Sequence, residues 1–287
     1  MKSKRTTLAL AALAAVLALP RLGDAKVYLF CDPYKSDLCV ALSQLYEFEE
    51  AAGVNRESET PAQLFTEPEG TTTGRTATHK TGTYALAVTA GTVGLEKNPF
   101  IGLGGEYSGS LWVRPDTIGD LPSAGTTWGL VGVRRVDSGG AGGYPYLGVF
   151  NNSGTYSVVY VVKQALTDNA ATLTNTPSAG VIAGATWFHV AWGQYPNPDY
   201  PNGKPFQWTL WSSVNGAAKA TTNVDYPPTP TLGRLELAST AGSLVTRNGT
   251  FDQLAFWGGT FSPANIAEIY NSGNGKAFPS RTEVMET

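Results

Sequence analysis

The sequence predicts an all-β protein: two antiparallel sheets packed face to face, with one short helix near the C-terminus. Three observations carry this. Short runs that alternate apolar and polar residues recur from residue 42 to residue 258, the signature of strands with one buried face. Turn formers are dense, with 33 Gly and 18 Pro among 287 residues, and no internal repeat suggests a solenoid or propeller. The clearest helical signal follows the last strand, where Ser262 can cap, Pro263 can open the first turn, Ile266, Ile269 and Tyr270 form a buried stripe, and Gly273 stops it.

At the N-terminus Lys2, Lys4 and Arg5 precede an apolar run from Leu8 to Leu19, and Gly23-Asp24-Ala25 offers small residues for cleavage after Ala25. Residues 1–25 therefore read as a secretion signal or, left uncleaved, as an N-terminal arm. The run is short for a membrane span, so no stable span is expected in the mature chain. Residues 26–41 hold a short strand, Lys26 to Phe30, and the two cysteines, Cys31 and Cys39. In an exported chain the pair closes the CDPYKSDLC loop as a disulfide; in a reducing compartment it is two free buried thiols. Residues 42–278 make the main domain and 279–287 a tail. Localisation follows as secreted or cell-surface, with a virion as the alternative.

Within the domain, Leu42 to Ser58 opens with a strand, Tyr84 to Leu86 starts another after a polar turn region, and Tyr107 to Pro115 alternates Tyr107, Leu111 and Val113 against Ser108, Ser110, Trp112 and Arg114. Further strands are expected at Trp128 to Arg134, Tyr146 to Phe150, Tyr156 to Val162, Trp187 to Trp192, Phe206 to Trp211 and Leu232 to Leu237. Asn215-Gly216 supplies the positive-φ pair of a hairpin. Phe251, Leu254 and Phe256 form the apolar set of the last strand, broken by Gly258-Gly259.

Five of these segments, in order, resemble motifs of bacterial and phage laminin G-like domains, members of the concanavalin A-like lectin and glucanase superfamily. They are LSQLYEFEEAAGVNRES from Leu42, Lys80 to Leu86, YSGSLWVRP from Tyr107, TWFHVAW from Thr186 with WSSVNGA from Trp211, and the stretch from Gly249 to Gly275. The resemblance implies a concanavalin A-like jelly-roll sandwich. It also implies the acids for one structural calcium, Glu49 or Glu50 with Asp252, although Ala87 to Gly91 lacks the Asp-Gly pair that helps hold the ion in that family.

Chemistry for an enzyme is thin. Two histidines are present, and no strand carries the three alternating acids of the related glucanases, Glu47 and Glu49 being the nearest approach. No catalytic residue is expected, and His189 reads as structural. At 15% charged residues, with a net charge of −3 and no basic block, nucleic acid is not an expected partner. Binding is easier to place. Trp112 and Trp211 fall on the polar-lined faces of their strands and, with Arg114 and Gln207, would form an aromatic platform for sugar rings, or else lie beneath covering loops as core. Two loops add Tyr144 and Tyr146, and Tyr195 and Tyr200. The expected function is an exported, non-catalytic module that binds glycans or a surface protein. The rivals are a structural protein, assembling with itself, a capsid or a cell-surface layer, and a polysaccharide-acting enzyme.

Overall fold

A computed structural model describes residues 28–29, 42–46, 48, 56–57, 64–66, 72–95, 105–135, 143–163, 170–197, 207–225, 228, 233–239, 244–276 and 282–283. The proposed signal, Cys31 and Cys39, Glu49, Glu50 and Tyr200 lie outside them. In chain order the strands are β1 Tyr28–Leu29, β2 Leu42–Tyr46, β3 Arg56–Glu57, β4 Leu64–Thr66, β5 Thr72–Thr76, β6 Ala85–Ala90, β7 Val93–Leu95, β8 Tyr107–Pro115, β9 Thr127–Arg135, β10 Tyr146–Asn152, β11 Thr155–Val162, β12 Ala171–Asn175, β13 Phe188–Pro196, β14 Trp208–Val214, β15 Ala220–Val224, β16 Gly233–Leu237, β17 Gly249–Gly258 and β18 Thr282–Glu283. Helix α1, Pro263–Tyr270, sits between the last two. β1 and β18 form a two-stranded ribbon of their own, with Tyr28 opposite Glu283.

The other strands make two antiparallel sheets. One runs β15-β14-β13-β8-β17-β6-β5, with β2 also paired to β17; the other runs β12-β11-β10-β9-β16-β7-β4-β3. Between them lies the main core: Leu111 and Val113 of β8, Phe188, Val190 and Trp192 of β13, and Phe251, Leu254 and Phe256 of β17 meet Trp128 and Leu130 of β9, Leu147 and Val149 of β10, and Val158 and Val162 of β11. Trp192 meets Phe256 edge-on at 5.9 Å, and Trp128 meets Phe251 at 6.0 Å. Gly109 is required beside that layer, since a β-carbon there would lie 2.4 Å from the Trp192 ring.

β17 organises the first sheet. Its one side pairs with β8, while its other side is shared between β6, opposite Gly249 to Phe251, and β2, opposite Leu254 to Trp257. Phe251 and Leu254 are three residues apart, which strict alternation would send to opposite faces. A bulge resolves this: Gln253 adopts φ 50°, the register shifts between Asp252 and Ala255, and both apolar side chains enter the core.

The sandwich also contains a buried polar chain. The hydroxyls of Tyr107 and Tyr160 are hydrogen-bonded across the two sheets, Tyr160 donates to Gln194 Oε1 at 2.9 Å, and Gln194 Nε2 donates to the Gly105 carbonyl at 2.7 Å. Burial pushes both phenols up, so they stay protonated at neutral pH. Tyr160→Phe leaves Gln194 and Tyr107 short of a buried partner, and chemical denaturation should show a loss of about 1–3 kcal/mol. A variant as stable as the parent would mean that the chain contributes nothing.

Candidate binding site

Helix α1 forms where sequence grammar puts it. Ser262 Oγ accepts from the Asn265 amide at 3.2 Å, Pro263 occupies the first turn, and Asn271 ends the helix in the left-handed region at φ 48°. Its buried residues Ile266 and Ile269 belong to a second core on the outward face of the β17 sheet, with Leu45, Ala191, Trp211, Ala255, Trp257 and Phe261. Tyr270 stacks on Trp112 with ring centres 5.7 Å apart and 20° between planes, and His189 lies 4.9 Å from Trp112 and 6.0 Å from Tyr270.

This arrangement decides between the two readings of the tryptophans. Trp112 and Trp211 are 1% and 0% exposed, so they lie beneath a covering layer rather than forming a solvent-facing platform. The cover is α1 itself together with two lysines, Lys80 4.7 Å over the Trp112 ring and Lys219 4.2 Å over the Trp211 ring. Lys219 also donates to the Phe261 carbonyl, and burial brings its amine down to about 8. The polar groups expected beside them are used locally: Arg114 pairs with Asp116 at 3.5 Å, and Gln207 accepts from Asn197 at 2.7 Å and donates to Asp225 at 3.1 Å.

His189 is a buried, structural histidine. Its Nε2 is 2.9 Å from Ser110 Oγ, its amide donates to Asn215 Oδ1 at 2.7 Å, and burial pulls its pKa down to about 3. Asn215 and Gly216 take φ 51° and 71°, with Ala217 N–H bonded to the Val214 carbonyl at 3.1 Å, so the turn expected there also braces His189. Of the acids expected to hold calcium, Asp252 is fully buried and accepts from the amides of Lys80 and Thr81 at 2.7 and 2.8 Å. Among the described residues no cluster of three or more His, Cys, Asp or Glu is placed to hold a metal.

The tyrosines are placed differently. Tyr195, at the end of β13, packs at the edge of the second core with Lys219 5.7 Å from its ring. Tyr144 and Tyr146 are half-buried on the other sheet, with ring centres 5.6 Å apart and planes tilted by 33°. In β10 Leu147 and Val149 enter the core, so Tyr146, Gly148 and Phe150 face outward. In β11 Val158, Tyr160 and Val162 enter, so Val159, Val161 and the following Lys163 share that outward face, with Val161 directly opposite Tyr146. Lys163 Nζ lies 4.7 Å over the Tyr144 ring. Burial, with the neighbouring Tyr144 adding to it, pushes the Tyr146 hydroxyl up to about 12, so it remains a proton donor. Position 148 admits only glycine, because a β-carbon there would lie 2.6 Å from Thr127 Cγ2 and 2.7 Å from the Trp128 carbonyl. Sequence reasoning found the two tyrosines but missed Phe150 and Lys163, although counting every second residue on from Tyr146 and from Val159 reaches both.

The architecture resembles that of botulinum neurotoxin receptor-binding domains and of a further binding domain. The receptor-binding domain of botulinum neurotoxin type G superposes with a TM-score of 0.54 at 8% identity over 80% of this chain and 51% of that one. The binding domain of Paraclostridial Mosquitocidal Protein 1 gives 0.58 at 11% identity over 82% and 52%, and the binding domain of botulinum neurotoxin serotype D gives 0.56 at 12% identity over 83% and 53%. The chain spans about half the length of these structures. At such identities the fold alone is shared. No family model and no curated protein matches the sequence. These findings overturn the laminin G-like, concanavalin A-like assignment. Its five motifs are alternating strands, a Gly-containing turn and a capped helix, which any two-sheet sandwich with this ending needs, so they report fold class rather than family. Among the described residues no helix is long and apolar enough to cross a membrane.

Proposed function

We propose that the chain is an exported, non-catalytic binding module, a sandwich of jelly-roll type whose β10–β11 face recognises carbohydrate on a surface. The observation that carries this is the pair of half-exposed rings, Tyr144 and Tyr146, 5.6 Å apart on an outward sheet face with Lys163 beside them. An aromatic ring accepts the apolar C–H face of a sugar, while its hydroxyl and a neighbouring ammonium supply donors to the sugar oxygens. Structures that superpose include the receptor-binding domain of botulinum neurotoxin type G and the binding domain of Paraclostridial Mosquitocidal Protein 1, which supports a recognition role. The basic residues and apolar run before Ala25 support export. The jelly-roll path is favoured by the pairing of strands far apart in sequence, β8 with β17 and β9 with β16.

The test is a glycan array followed by titration of the best ligand. Tyr146→Ala should weaken that ligand by about 1–3 kcal/mol, the scale of a truncated aromatic anchor, in protein whose fold is verified by circular dichroism. An array ligand whose affinity is unchanged in both Tyr144→Ala and Tyr146→Ala would move the site elsewhere.

A further inference from the structure

Tyr146 and Phe150 project from the same face of β10, four residues apart and with Gly148 between them. Strand geometry puts about 13 Å between their α-carbons. Both rings are partly exposed, whereas β10 contributes no side chain between them: Gly148 lies against the Thr127 methyl, and Val159 opposite it is buried. Two raised aromatic rings therefore flank an apolar saddle along one strand. Tyr144 and Lys163 enlarge the Tyr146 end into a platform with a cation; the Phe150 end has Thr127 and Ser157 directly across on the neighbouring strands, and the Ser157 hydroxyl is bonded to Thr176 Oγ1 at 2.7 Å.

A single pyranose ring covers one aromatic ring and cannot reach the other. We infer that the ligand is a linear oligosaccharide laid along β10, one sugar stacked on Tyr146, another on Phe150, and the chain crossing the saddle over Gly148. This rests on the carbohydrate reading of the same face and adds its ligand class: an internal stretch of a polysaccharide chain rather than a terminal monosaccharide. The Phe150 end takes its sugar through ring contact, while the Tyr146 end adds donors from the two hydroxyls and Lys163.

Chain-length dependence tests it. The full chain is titrated with β-1,4-linked glucose, β-1,4-linked N-acetylglucosamine and α-1,4-linked galacturonate ladders, each from monosaccharide to hexasaccharide. At least one ladder should gain about tenfold or more in affinity between the monosaccharide and the length that spans both rings, then level off. Phe150→Ala should remove that gain and leave the shortest ligands within about twofold, and Phe150→Leu, which preserves apolar volume against any folding defect, should remove most of it. A ladder whose monosaccharide binds as well as its hexasaccharide, weakened by Tyr146→Ala but not by Phe150→Ala, would overturn the spanning chain and leave the tyrosine site standing. Affinities indifferent to both substitutions, or no binding by any ladder, would overturn the inference, and the former would sink the carbohydrate face with it.

Discussion

Trp211→Ala should destabilise the protein by about 3–5 kcal/mol, the cost of deleting a large aromatic side chain from a close-packed core. Trp211 has no exposed surface, lies 5.8 Å from the Phe261 ring, and sits in the cluster that seats Ile266 and Ile269 of α1, with Lys219 as its outer lid. Its removal empties the space under the helix and takes away the nearer of the two rings beside the Lys219 ammonium, leaving Tyr195 at 5.7 Å. Urea unfolding followed by fluorescence and circular dichroism gives the number. A loss below about 1 kcal/mol would mean that the helix is not seated as described. Binding by whatever protein remains folded should be unchanged, because Trp211 is on the face opposite the β10–β11 strip.

Acid should act through His189, with an effect of similar size. Its folded pKa of about 3 lies below the unfolded value of 6.5, so the native state favours the neutral ring. The stability this contributes is fully present above pH 6.5 and is lost as pH falls toward 3, at about 1.4 kcal/mol per unit and roughly 4–5 kcal/mol in all. The groups around it are Trp112, Tyr270 and Ser110, with the Lys80 ammonium over Trp112 and the Asp252 carboxylate accepting the Lys80 and Thr81 amides. Carboxylates as a class also take up protons toward the acid end of this range, so the diagnostic quantity is the difference between parent and His189→Gln. The variant should be less stable at pH 7.5 and the gap should close steadily toward pH 4. Parallel stability curves from pH 7.5 to 4 would show that His189 is not buried neutral.

Much of the fold was legible because strand alternation and turn chemistry are local. Tyr107 to Pro115 is a strand over the expected residues, Ser262 caps as expected, and Asn215-Gly216 turns with both φ angles positive. What was not legible depends on which face another element covers. Alternation correctly set Trp112 and Trp211 apart from Leu111 and Leu210, but polar neighbours such as Ser110 and Thr209 suggested solvent where the structure has a second core. The amphipathic stripe of α1 was visible, and a stripe needs a surface to rest on; the tryptophan-rich face of the β17 sheet was the available one. The bulge at Gln253 was hidden for a different reason, since a positive φ at a non-glycine residue leaves no compositional trace. The candidate site was half legible: its tyrosines stood out in a Gly-rich loop, whereas Phe150 and Lys163 looked like ordinary strand residues until the pairing of β10 with β11 brought them to one face.

The most direct test of which face binds is amide hydrogen exchange, measured by mass spectrometry with and without a saturating array-selected glycan. Protection confined to peptides covering residues 144–151 and 159–163, with 208–214 and 263–270 unchanged, is the predicted result. Protection of the Trp211 strand and α1, with the β10–β11 peptides unaffected, would contradict it and return recognition to the tryptophan face.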